Sequence, residues 1–579
     1  MGIVKAPENV RLVIWDLDET FWRGTLTEGS IEFIDKHRDI VIKLAERGII
    51  SSICSKNNFD DVKKILVSHD IFDYFIFPSI NWEPKGVRIA SIVDQMQLRP
   101  ASVMFIDDNH GNRSEAAYFI PDIQIADETI IGTMLDNPLF KGKDDAGLTR
   151  LNQYKILEQR NLDMQQGGAD NTDFLRSSDI CISIENNLEQ HYDRIVELIN
   201  RTNQLNFTKR RLSEDAQTAR SELDTIVKRN DVIAGLIRVS DRYGDYGWCG
   251  YFCCQVLEGA SKVLLDFSFS CRILNMGVEQ YVYDLLQRPE LHIVGEVLSD
   301  PRSSMRIDWI RLANKEEISK SRNKSDRSIY LRGGCDLAVI EHYAQLGFDT
   351  VFGQYNIVRN GVSLRLDHSI TTRYAFGQKI PDDVLSAFAR LGYREEDFKS
   401  LKPHMIGSTC VFSFIPDQWV SIYKHTASGY MIPFFADGAR GDLNLCALRD
   451  DDVTALTSNP QLHDSITTLR NEFEYAGLSL GDIFKENLHF IMSTISPSTE
   501  VCLIKNKEYY GRDESMKSEY AIQLNDCIDA VLLEFRNARS LHITDFVKDK
   551  NEIHLDNHFD RMVYYRLYRA ILEKNRYST

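Results

Sequence analysis

Short apolar runs alternate with amphipathic segments over residues 10–140. The apolar runs include RLVIWDL, IISSICS, FDYFIFP and SVMFIDD, and the segments between them, such as IDKHRDIVIKLAERG and FDDVKKILVSHD, repeat their apolar residues with helical spacing. Strands that alternate with helices are typical of βαβ units, which build a parallel sheet. The pattern therefore predicts a doubly wound, Rossmann-like α/β domain.

The rest of the chain predicts two further domains. A polar helical stretch and the Gly/Gln-rich QQGGADN indicate a helical linker over residues 146–177. A second module, 178–320, joins helices to the β-like runs DVIAGLIRVSD, WCGYFCCQVLE and VLLDFSFSCRIL, and it ends in the charged segment NKEEISKSRNKSDRS. Residues 329–579 return to an α/β pattern. We therefore expect a multidomain α/β protein whose first domain spans residues 1–145.

Composition narrows the class of function. The 579 residues are 43% hydrophobic and 26% charged, as in globular proteins, and 68 basic against 85 acidic residues give a net charge of −17. Such a surface repels nucleic acid and anionic lipid. The N-terminus MGIVKAPENV has no apolar stretch, and the eleven cysteines have no disulfide-framework spacing. We expect a cytoplasmic protein that binds neither nucleic acid nor membrane.

Candidate catalytic groups follow successive strands of the first predicted sheet. In such sheets ligands bind beyond the carboxyl ends of the strands. Phosphoryl transfer through an aspartate requires a carboxylate nucleophile, a second acid, and groups that hold phosphate oxygens. Asp16 would be the nucleophile, Asp18 would protonate the leaving group and later activate water, Ser55 would hydrogen-bond the phosphoryl group, and Lys85 would neutralise it.

Carboxylates at the strand ends also predict a metal site. Asp107 and Asp108, which close VMFIDD, would hold Mg²⁺ with Asp16 and the backbone carbonyl of Asp18. Each signal alone has an alternative interpretation, because a strand-end aspartate often caps the next helix. Together, in this order, they resemble the haloacid dehalogenase (HAD) superfamily. The spacing leaves no room for a large cap domain, which in that superfamily implies a large or carrier-bound substrate unless a neighbouring domain serves as the lid.

Longer strings sharpen the resemblance over roughly residues 10–290. ICSKNN, INWEPKG and FIDDN in the first domain, and INRTNQLNFTKRR, VSDRYGDYGWCG and SFSCRILNMGVE in the second, resemble the FkbH-like family. That resemblance implies an enzyme of polyketide biosynthesis that takes the glyceryl unit of 1,3-bisphosphoglycerate, removes its phosphate and leaves a glyceryl thioester on the phosphopantetheine thiol of an acyl carrier protein. It also implies a GNAT-like acyltransferase fold for the second module.

The same resemblance implies a substrate or carrier site in the second module, formed by Arg201, Asn203, Gln204, Asn206 and Asp241. Hydrogen bonding within a helix surface and loops is the alternative role for these residues. The chain departs from the family at Asn275 and Met276, where arginine and glycine are usual. This departure puts a contact with a pantetheine or CoA phosphate in doubt.

Capture of an acyl group from an acyl phosphate requires a thiolate. Cys54, beside Ser55, is the first candidate and Cys271 the second. Both have the alternative of a buried structural cysteine, and in an extended strand Cys54 would face away from Ser55. Direct transfer to the thiol of the carrier protein would use neither cysteine.

The third domain resembles SGNH hydrolases in two places. IYLRGGCDLAVIEH places Cys335 after a strand, where that family has its serine nucleophile, and HLDNHF places Asp556 and His558 near the end of the chain. The resemblance implies that the pair orients and activates Cys335, which would pass on an acyl group or cleave an ester. Alternatively, Gly333 and Gly334 only make a tight turn and His558 only packs.

The preferred function is thus Mg²⁺-dependent capture and dephosphorylation of a phosphoglyceryl unit for transfer to a carrier protein. The alternative is a HAD phosphatase that acts on a phosphorylated sugar or glycan precursor, with an O-acyltransferase or esterase as the third domain. A binding protein with a retired active site is a third possibility, which the complete set of catalytic residue types disfavours.

Overall fold

The computed structural model describes residues 8–166, 171–257, 261–313, 328–399, 409–437, 440–554 and 558–572. Their strands form three five-stranded sheets and several smaller ones. Two of the large sheets are parallel throughout, so the mixed α/β class with parallel sheets is confirmed. Among the described helices, none is both long and apolar enough to span a membrane.

The first sheet has the order β5-β4-β1-β6-β7 and is covered on both faces, with a separate apolar cluster under each. A hairpin, β2-β3, follows β1. The strands are β1 Leu12–Trp15, β2 Trp22–Arg23, β3 Glu32–Phe33, β4 Ile50–Ser55, β5 Ser79–Ile80, β6 Val103–Ile106 and β7 Gln124–Ala126. The helices are α1 Asp35–Glu46, α2 Phe59–Ser68, α3 Lys85–Gln95 and α4 His110–Phe119, followed by α5 Thr149–Gln166 and α6 Asn171–Ser177.

The second sheet has the order β11-β10-β9-β8-β12. Its first four members pair antiparallel, and β12 runs parallel to β8. The strands are β8 Ile180–Glu185, β9 Val232–Asp241, β10 Gly244–Val256, β11 Lys262–Phe269 and β12 Ile310–Leu312, and the helices are α7 Tyr192–Arg201, α8 Ala216–Val227 and α9 Val278–Leu285. The module is therefore α+β, and its assignment to the GNAT fold stays a prediction.

The third sheet is parallel, with the order β14-β13-β17-β21-β22. Its strands are β13 Ser328–Gly333, β14 Thr350–Tyr355, β17 Thr409–Ser413, β21 Glu500–Lys505 and β22 Ala538–His542. The helices beside it are α10 Cys335–Gln345, α15 Asp482–Thr494, α16 Glu519–Leu532 and α17 Arg561–Leu572. Its assignment to the SGNH fold also stays a prediction.

The segments of chain that connect β14 to β17 and β17 to β21 form a lobe with its own apolar core. Its strands are β15 Ile357–Arg359, β16 Val362–Leu364, β18 Ser421–His425, β19 Met431–Pro433 and β20 Phe473–Leu478. Its helices are α11 Ser369–Ala375, α12 Asp382–Arg390, α13 Asp450–Leu456 and α14 Pro460–Glu472.

The second sheet and the helices of the third share one core. Ile184 and Ile237 of the second sheet belong to the same buried cluster as Leu337 of α10 and Leu567 of α17. Arg561, which is 2% exposed, donates from Nε and Nη1 to the carbonyl oxygens of residues 227 and 234. Burial of so much apolar surface makes these two parts of the chain one packed unit. Most of the charged segment that predicts a boundary between them lies outside the described residues.

Candidate active site

Four of the predicted catalytic residues meet at one edge of the first sheet. Asp16 directly follows β1, Asp107 directly follows β6, Ser55 ends β4, and Lys85 begins α3 just after β5. Because the strands are parallel, their carboxyl ends share an edge, and the side chains converge there. Each of the four residues is at most 5% exposed. Such buried polar groups require partners.

Lys85 is the partner that two of the carboxylates share. Its Nζ lies 2.6 Å from Oδ1 of Asp16 and 2.7 Å from Oδ2 of Asp107. Burial, reinforced by the nearby charge of Asp107, raises the pKa of Asp16 to about 6 although the ammonium group of Lys85 opposes the rise. Burial alone would lower the pKa of Lys85, but the two carboxylates outweigh it and raise that pKa. The lysine is therefore held as a cation between two acids.

Three carboxylates at this edge form a set that fits a divalent cation. Asp16, Asp107 and Asp108 each offer an oxygen, and these atoms lie within 4.8 Å of one another. The backbone N–H of Asp108 donates to Oγ1 of Thr20 (3.0 Å), and Asn112 donates to both carboxylate oxygens of Asp107 (3.1 Å each). Burial and the charge of Asp107 raise the pKa of Asp108. Oxygen ligands of this kind suit Mg²⁺.

The carboxylate of Asp18 is not part of that acidic set and has three other hydrogen-bond partners. Its Oδ1 accepts from Nε1 of Trp22 (2.9 Å) and from the N–H of Leu26 (3.1 Å), and its Oδ2 accepts from Nδ2 of Asn57 (3.0 Å). Nδ2 of Asn57 also donates to Oγ of Ser55 (3.1 Å). Three donors thus fix Asp18 in one orientation. Two roles are predicted for Asp18: proton transfer by its carboxylate and a contact with the metal. Both are compatible when the metal contacts the backbone carbonyl, because the carboxylate then does not bind the metal.

Sequence reasoning assigned no role to three residues of this site: Thr20, Asn57 and Asn112. Each lies within five positions of a predicted catalytic residue, and Asn57 stands inside the quoted string ICSKNN. The sequence did contain one signal for these residues, because each is polar and lies close to the end of a predicted strand. Their contacts run across strands, however, and only the folded sheet specifies those.

The site opens to solvent at its rim. Asp108 is exposed, and Trp82, in the loop between β5 and α3, is 62% exposed. Residues 8–145 are all described, and between β1 and α1 they contain only the hairpin β2-β3. No cap domain is inserted in this range.

Cys54 does not fit the role of acyl acceptor that its position suggested. Its side chain is 0% exposed and lies in an apolar cluster with Ile14 and Ile89, on the face of β4 opposite Ser55. Burial raises the pKa of this thiol to about 12, although the cations of Arg88 and Lys85 oppose the rise. Only the thiolate is nucleophilic, and a buried thiol with this pKa forms almost no thiolate near neutral pH. Cys54 is therefore a structural core residue in this fold.

The structure brings some of the candidate residues of the second module together. The backbone groups of residues 205 and 207 form hydrogen bonds with β11, the strand that ends two residues before Cys271. Sγ of Cys271 donates to Oε1 of Gln204 (3.4 Å). Burial raises the pKa of Cys271 to about 11. This thiol is only partly buried, so it stays accessible, unlike Cys54.

The other carried-over residues have local structural partners. Arg201 pairs with Glu197 (3.2 Å), Asn203 accepts from Nζ of Lys209, and Asn206 donates to the carbonyl of residue 199 (3.0 Å). Asp241 accepts from the hydroxyl of Tyr246 (2.8 Å) and from two N–H groups of its own hairpin. At the departure from the family, Asn275 is exposed with a φ of 62°, and Met276 is fully buried.

The structure describes only part of the triad predicted for the third domain. Cys335 begins α10, directly after the strand, as expected, but its side chain and the whole of Asp556 lie outside the described residues. His558 is half-buried, and its carbonyl accepts from the N–H of His554 (2.8 Å). The catalytic roles of these three residues stay predictions.

The chain was compared with known proteins. No protein-family model matches it, and no curated protein does. A similar solved structure is the N-terminal part of protein BF1531 from Bacteroides fragilis, which contains a phosphatase domain complexed with Mg. The two are 24% identical, the match covers 23% of this chain and 40% of that one, and the TM-score is 0.20.

Two other similar structures are phosphatases by name. The cobalt-bound deoxy-D-mannose-octulosonate 8-phosphate phosphatase (YrbI) of Haemophilus influenzae is 16% identical, with 19% of this chain and 66% of that one covered and a TM-score of 0.17. The 3-deoxy-D-manno-octulosonate 8-phosphate phosphatase of Moraxella catarrhalis, in complex with magnesium, phosphate and KDO, is 12% identical, with 28% and 95% covered and a TM-score of 0.17. At these values the likeness assigns neither an activity nor a substrate to this chain.

Proposed function

We propose that this chain is a Mg²⁺-dependent phosphatase of the HAD type. The observation that carries the proposal is the buried ammonium group of Lys85, held 2.6 Å from Asp16 and 2.7 Å from Asp107 at the carboxyl edge of a parallel sheet. Asp108 completes an acidic set around the same point. When bound by these carboxylates, Mg²⁺ would offset the negative charge of the phosphoryl oxygens.

The residues divide the reaction into two displacements. A carboxylate oxygen of Asp16 attacks phosphorus while the bond to the leaving oxygen breaks, and Asp18 donates a proton to that oxygen. Asp18 then takes a proton from water as the water attacks the aspartyl phosphate, which releases inorganic phosphate and restores Asp16. Ser55 and Asn57 hold the transferred group in line with Asp16, and Lys85 balances its charge.

Phosphate release from p-nitrophenyl phosphate and 3-phosphoglycerate, with Mg²⁺ present, tests this assignment. Asp16→Asn and Asp18→Asn should each lower the rate by at least about a thousandfold, because each removes a group that acts directly in the reaction. Asp94→Asn, which changes an exposed carboxylate of α3, is the matched control and should keep the wild-type rate. Full activity of Asp16→Asn protein would refute the HAD mechanism.

At a finer level, we propose that the phosphorylated substrate is a glyceryl unit from 1,3-bisphosphoglycerate, destined for the thiol of an acyl carrier protein. The support is the resemblance of the first two domains to FkbH-like proteins and the absence of a cap between residues 8 and 145, which leaves the site open to a carrier-bound substrate. Since Cys54 is buried, the phosphopantetheine thiol of the carrier itself, or Cys271, is the acyl acceptor in this proposal. A cytoplasmic location belongs to the same proposal.

Intact-mass analysis of carrier proteins tests the finer proposal. Incubation of the enzyme, Mg²⁺ and 1,3-bisphosphoglycerate with phosphopantetheinylated carrier should add a glyceryl group that hydroxylamine removes. Asp16→Asn should leave the carrier with a phosphoglyceryl group or none. Phosphate release without any loaded carrier would contradict glyceryl transfer while leaving the phosphatase assignment intact.

One observation favours the second candidate, a phosphatase of phosphorylated sugars or glycan precursors. The burial of Cys54 and the raised pKa of its thiol remove the acyl acceptor nearest to the phosphoryl site. A panel of sugar phosphates, assayed for phosphate release under the same conditions, separates the two candidates. Higher kcat/KM for a sugar phosphate than for every phosphoglyceryl substrate would favour the second.

A further inference from the structure

Arg88 is a buried arginine that lies beside the proposed phosphoryl site and has no part in the two displacements. It stands three positions after Lys85 on α3, so the two residues lie on the same face of the helix, and it is 6% exposed. A guanidinium group is costly to bury unless its donors are used. The partners of Arg88 therefore indicate what this side chain does.

The N–H groups of the Arg88 guanidinium all donate to neighbouring segments. Nη2 donates to the carbonyl oxygens of Ser55 (2.9 Å) and Ser79. Nη1 donates to the carbonyl oxygens of Asn81 (3.0 Å) and Glu83 (3.1 Å), and Nε donates to the hydroxyl of Ser79 (2.9 Å). The acceptors are backbone carbonyl groups and one hydroxyl group. Arg88 therefore holds the path of the backbone rather than a carboxylate.

These contacts join the segments that carry Ser55 and Lys85. Ser55 ends β4, and residues 81–84 lead from β5 into α3, where Lys85 is the first residue. The backbone N–H of Asn81 adds a hydrogen bond to the carbonyl of Ser55 (3.2 Å). Residues 81–84 are all exposed, so little apolar packing holds them. Arg88 thus reaches from α3 across this loop to β4 and ties the two segments together.

The relative position of Ser55 and Lys85 matters because both would hold oxygens of the same phosphoryl group. Stabilisation of a transition state depends on groups that are already in place, and a displacement of about 1 Å can lower a rate about a hundredfold. Lysine could not replace Arg88 fully, because its three donors share one nitrogen atom, whereas the planar guanidinium spreads five donors over three. Methionine has a similar length but no donor.

We propose that Arg88 is a positioning residue of the phosphatase site, which sets Ser55 and Lys85 at the separation that the transferred phosphoryl group requires. This inference rests on the proposed function and adds to it the residue that joins two parts of the phosphoryl-binding site. Arg88 acts through the backbone of β4 and of the loop before α3, not through contact with the phosphoryl group. The alternative is a purely structural role, in which Arg88 stabilises the domain and the site forms without it.

Steady-state kinetics of the full-length protein with p-nitrophenyl phosphate and Mg²⁺ test the proposal, together with inhibition by orthovanadate and by inorganic phosphate. Vanadate takes up the five-coordinate geometry of phosphoryl transfer, whereas phosphate is the product. Arg88→Met removes every donor, and Arg88→Lys keeps the charge and part of the hydrogen bonding. Ile92→Ala, which truncates a buried apolar side chain (2% exposed) one turn further along α3, is the control for loss of stability. Urea unfolding measures the stability of each protein.

We expect kcat to fall about 100-fold in Arg88→Met and about 10-fold in Arg88→Lys, with KM changed less than about threefold. Inhibition by vanadate should weaken in the same proportion as kcat, and inhibition by phosphate should change little, because only the transition state needs both groups in place. Ile92→Ala should keep the wild-type kcat and both inhibition constants although it unfolds at a lower urea concentration.

Wild-type kcat in the Arg88 variants would overturn the proposal and leave the phosphatase function intact, and Arg88→Lys decides this alone if Arg88→Met does not fold. Equal weakening of vanadate and phosphate inhibition would also overturn it. A loss of kcat in Ile92→Ala as large as in Arg88→Met would show that Arg88 has a structural role instead. Absence of phosphate release by wild type from either test substrate would overturn the proposed function and this inference with it.

Discussion

Removal of the positive charge at Lys85 should destabilise the first domain in a manner that Mg²⁺ reverses. Lys85→Met keeps the length of the side chain but leaves Asp16 and Asp107 buried without their shared cation, which lies 2.6 and 2.7 Å from them. At these distances each attraction is about 6 kcal/mol at an effective dielectric constant of about 20, before the cost of desolvation. Loss of one partner of a buried ion pair costs about 3–5 kcal/mol net.

Hydrogen–deuterium exchange with mass spectrometry would localise this loss to the peptides that contain β1 and β6. In EDTA, exchange of these strands should accelerate by about two to four orders of magnitude, which is the same free energy expressed as a rate ratio. Mg²⁺ at a hundred times its Kd should recover about 2.7 kcal/mol, because the ion binds only the folded acidic set. Phosphate release should remain absent, since the metal does not replace the group that holds Asp16.

The matched control is Lys56→Met, which removes an exposed lysine one residue after β4. This variant should exchange like wild type in EDTA and in Mg²⁺, because an exposed charge contributes little to stability. If Lys85→Met matched Lys56→Met in EDTA, the buried ion cluster would not be a determinant of stability. If Mg²⁺ did not slow the exchange of β1 and β6 in Lys85→Met protein, the metal would not bind the acidic set.

Three further outcomes are expected. Asn57→Ala should lower kcat for p-nitrophenyl phosphate about 10- to 100-fold, because Asp18 and Ser55 lose a shared donor worth about 1.5–3 kcal/mol, and an unchanged kcat would contradict this positioning role. Iodoacetamide at pH 8 should leave Cys54 unmodified in native protein, because its raised pKa of about 12 keeps it a thiol. Cys271 is partly exposed and has a pKa of about 11, so it should react slowly, and its rate should rise about tenfold for each unit by which the pH is raised. EDTA should stop phosphate release and Mg²⁺ restore it, whereas turnover in EDTA would exclude the metal role of the strand-end carboxylates.

Local patterns in the sequence were sufficient to group the candidate residues of the first domain. The alternation of apolar runs with helical spacing is a short-range signal, and it predicted a parallel sheet. Once the sheet is parallel, residues that follow different strands must meet at one edge, so Asp16, Ser55, Lys85 and Asp107 could be grouped without coordinates. The opposite faces of Cys54 and Ser55 followed from the period of a strand in the same way.

Only the tertiary structure determined which atoms pair and what burial does to them. The position of the Lys85 ammonium group between Asp16 and Asp107, and the donation from Asn57 to Asp18, depend on contacts between strands that no local pattern encodes. The same is true of the core shared by the second sheet and the third domain. Sequence periodicity reports the face and the edge on which a residue lies, whereas the packing of distant segments sets its partners, its exposure and therefore its pKa.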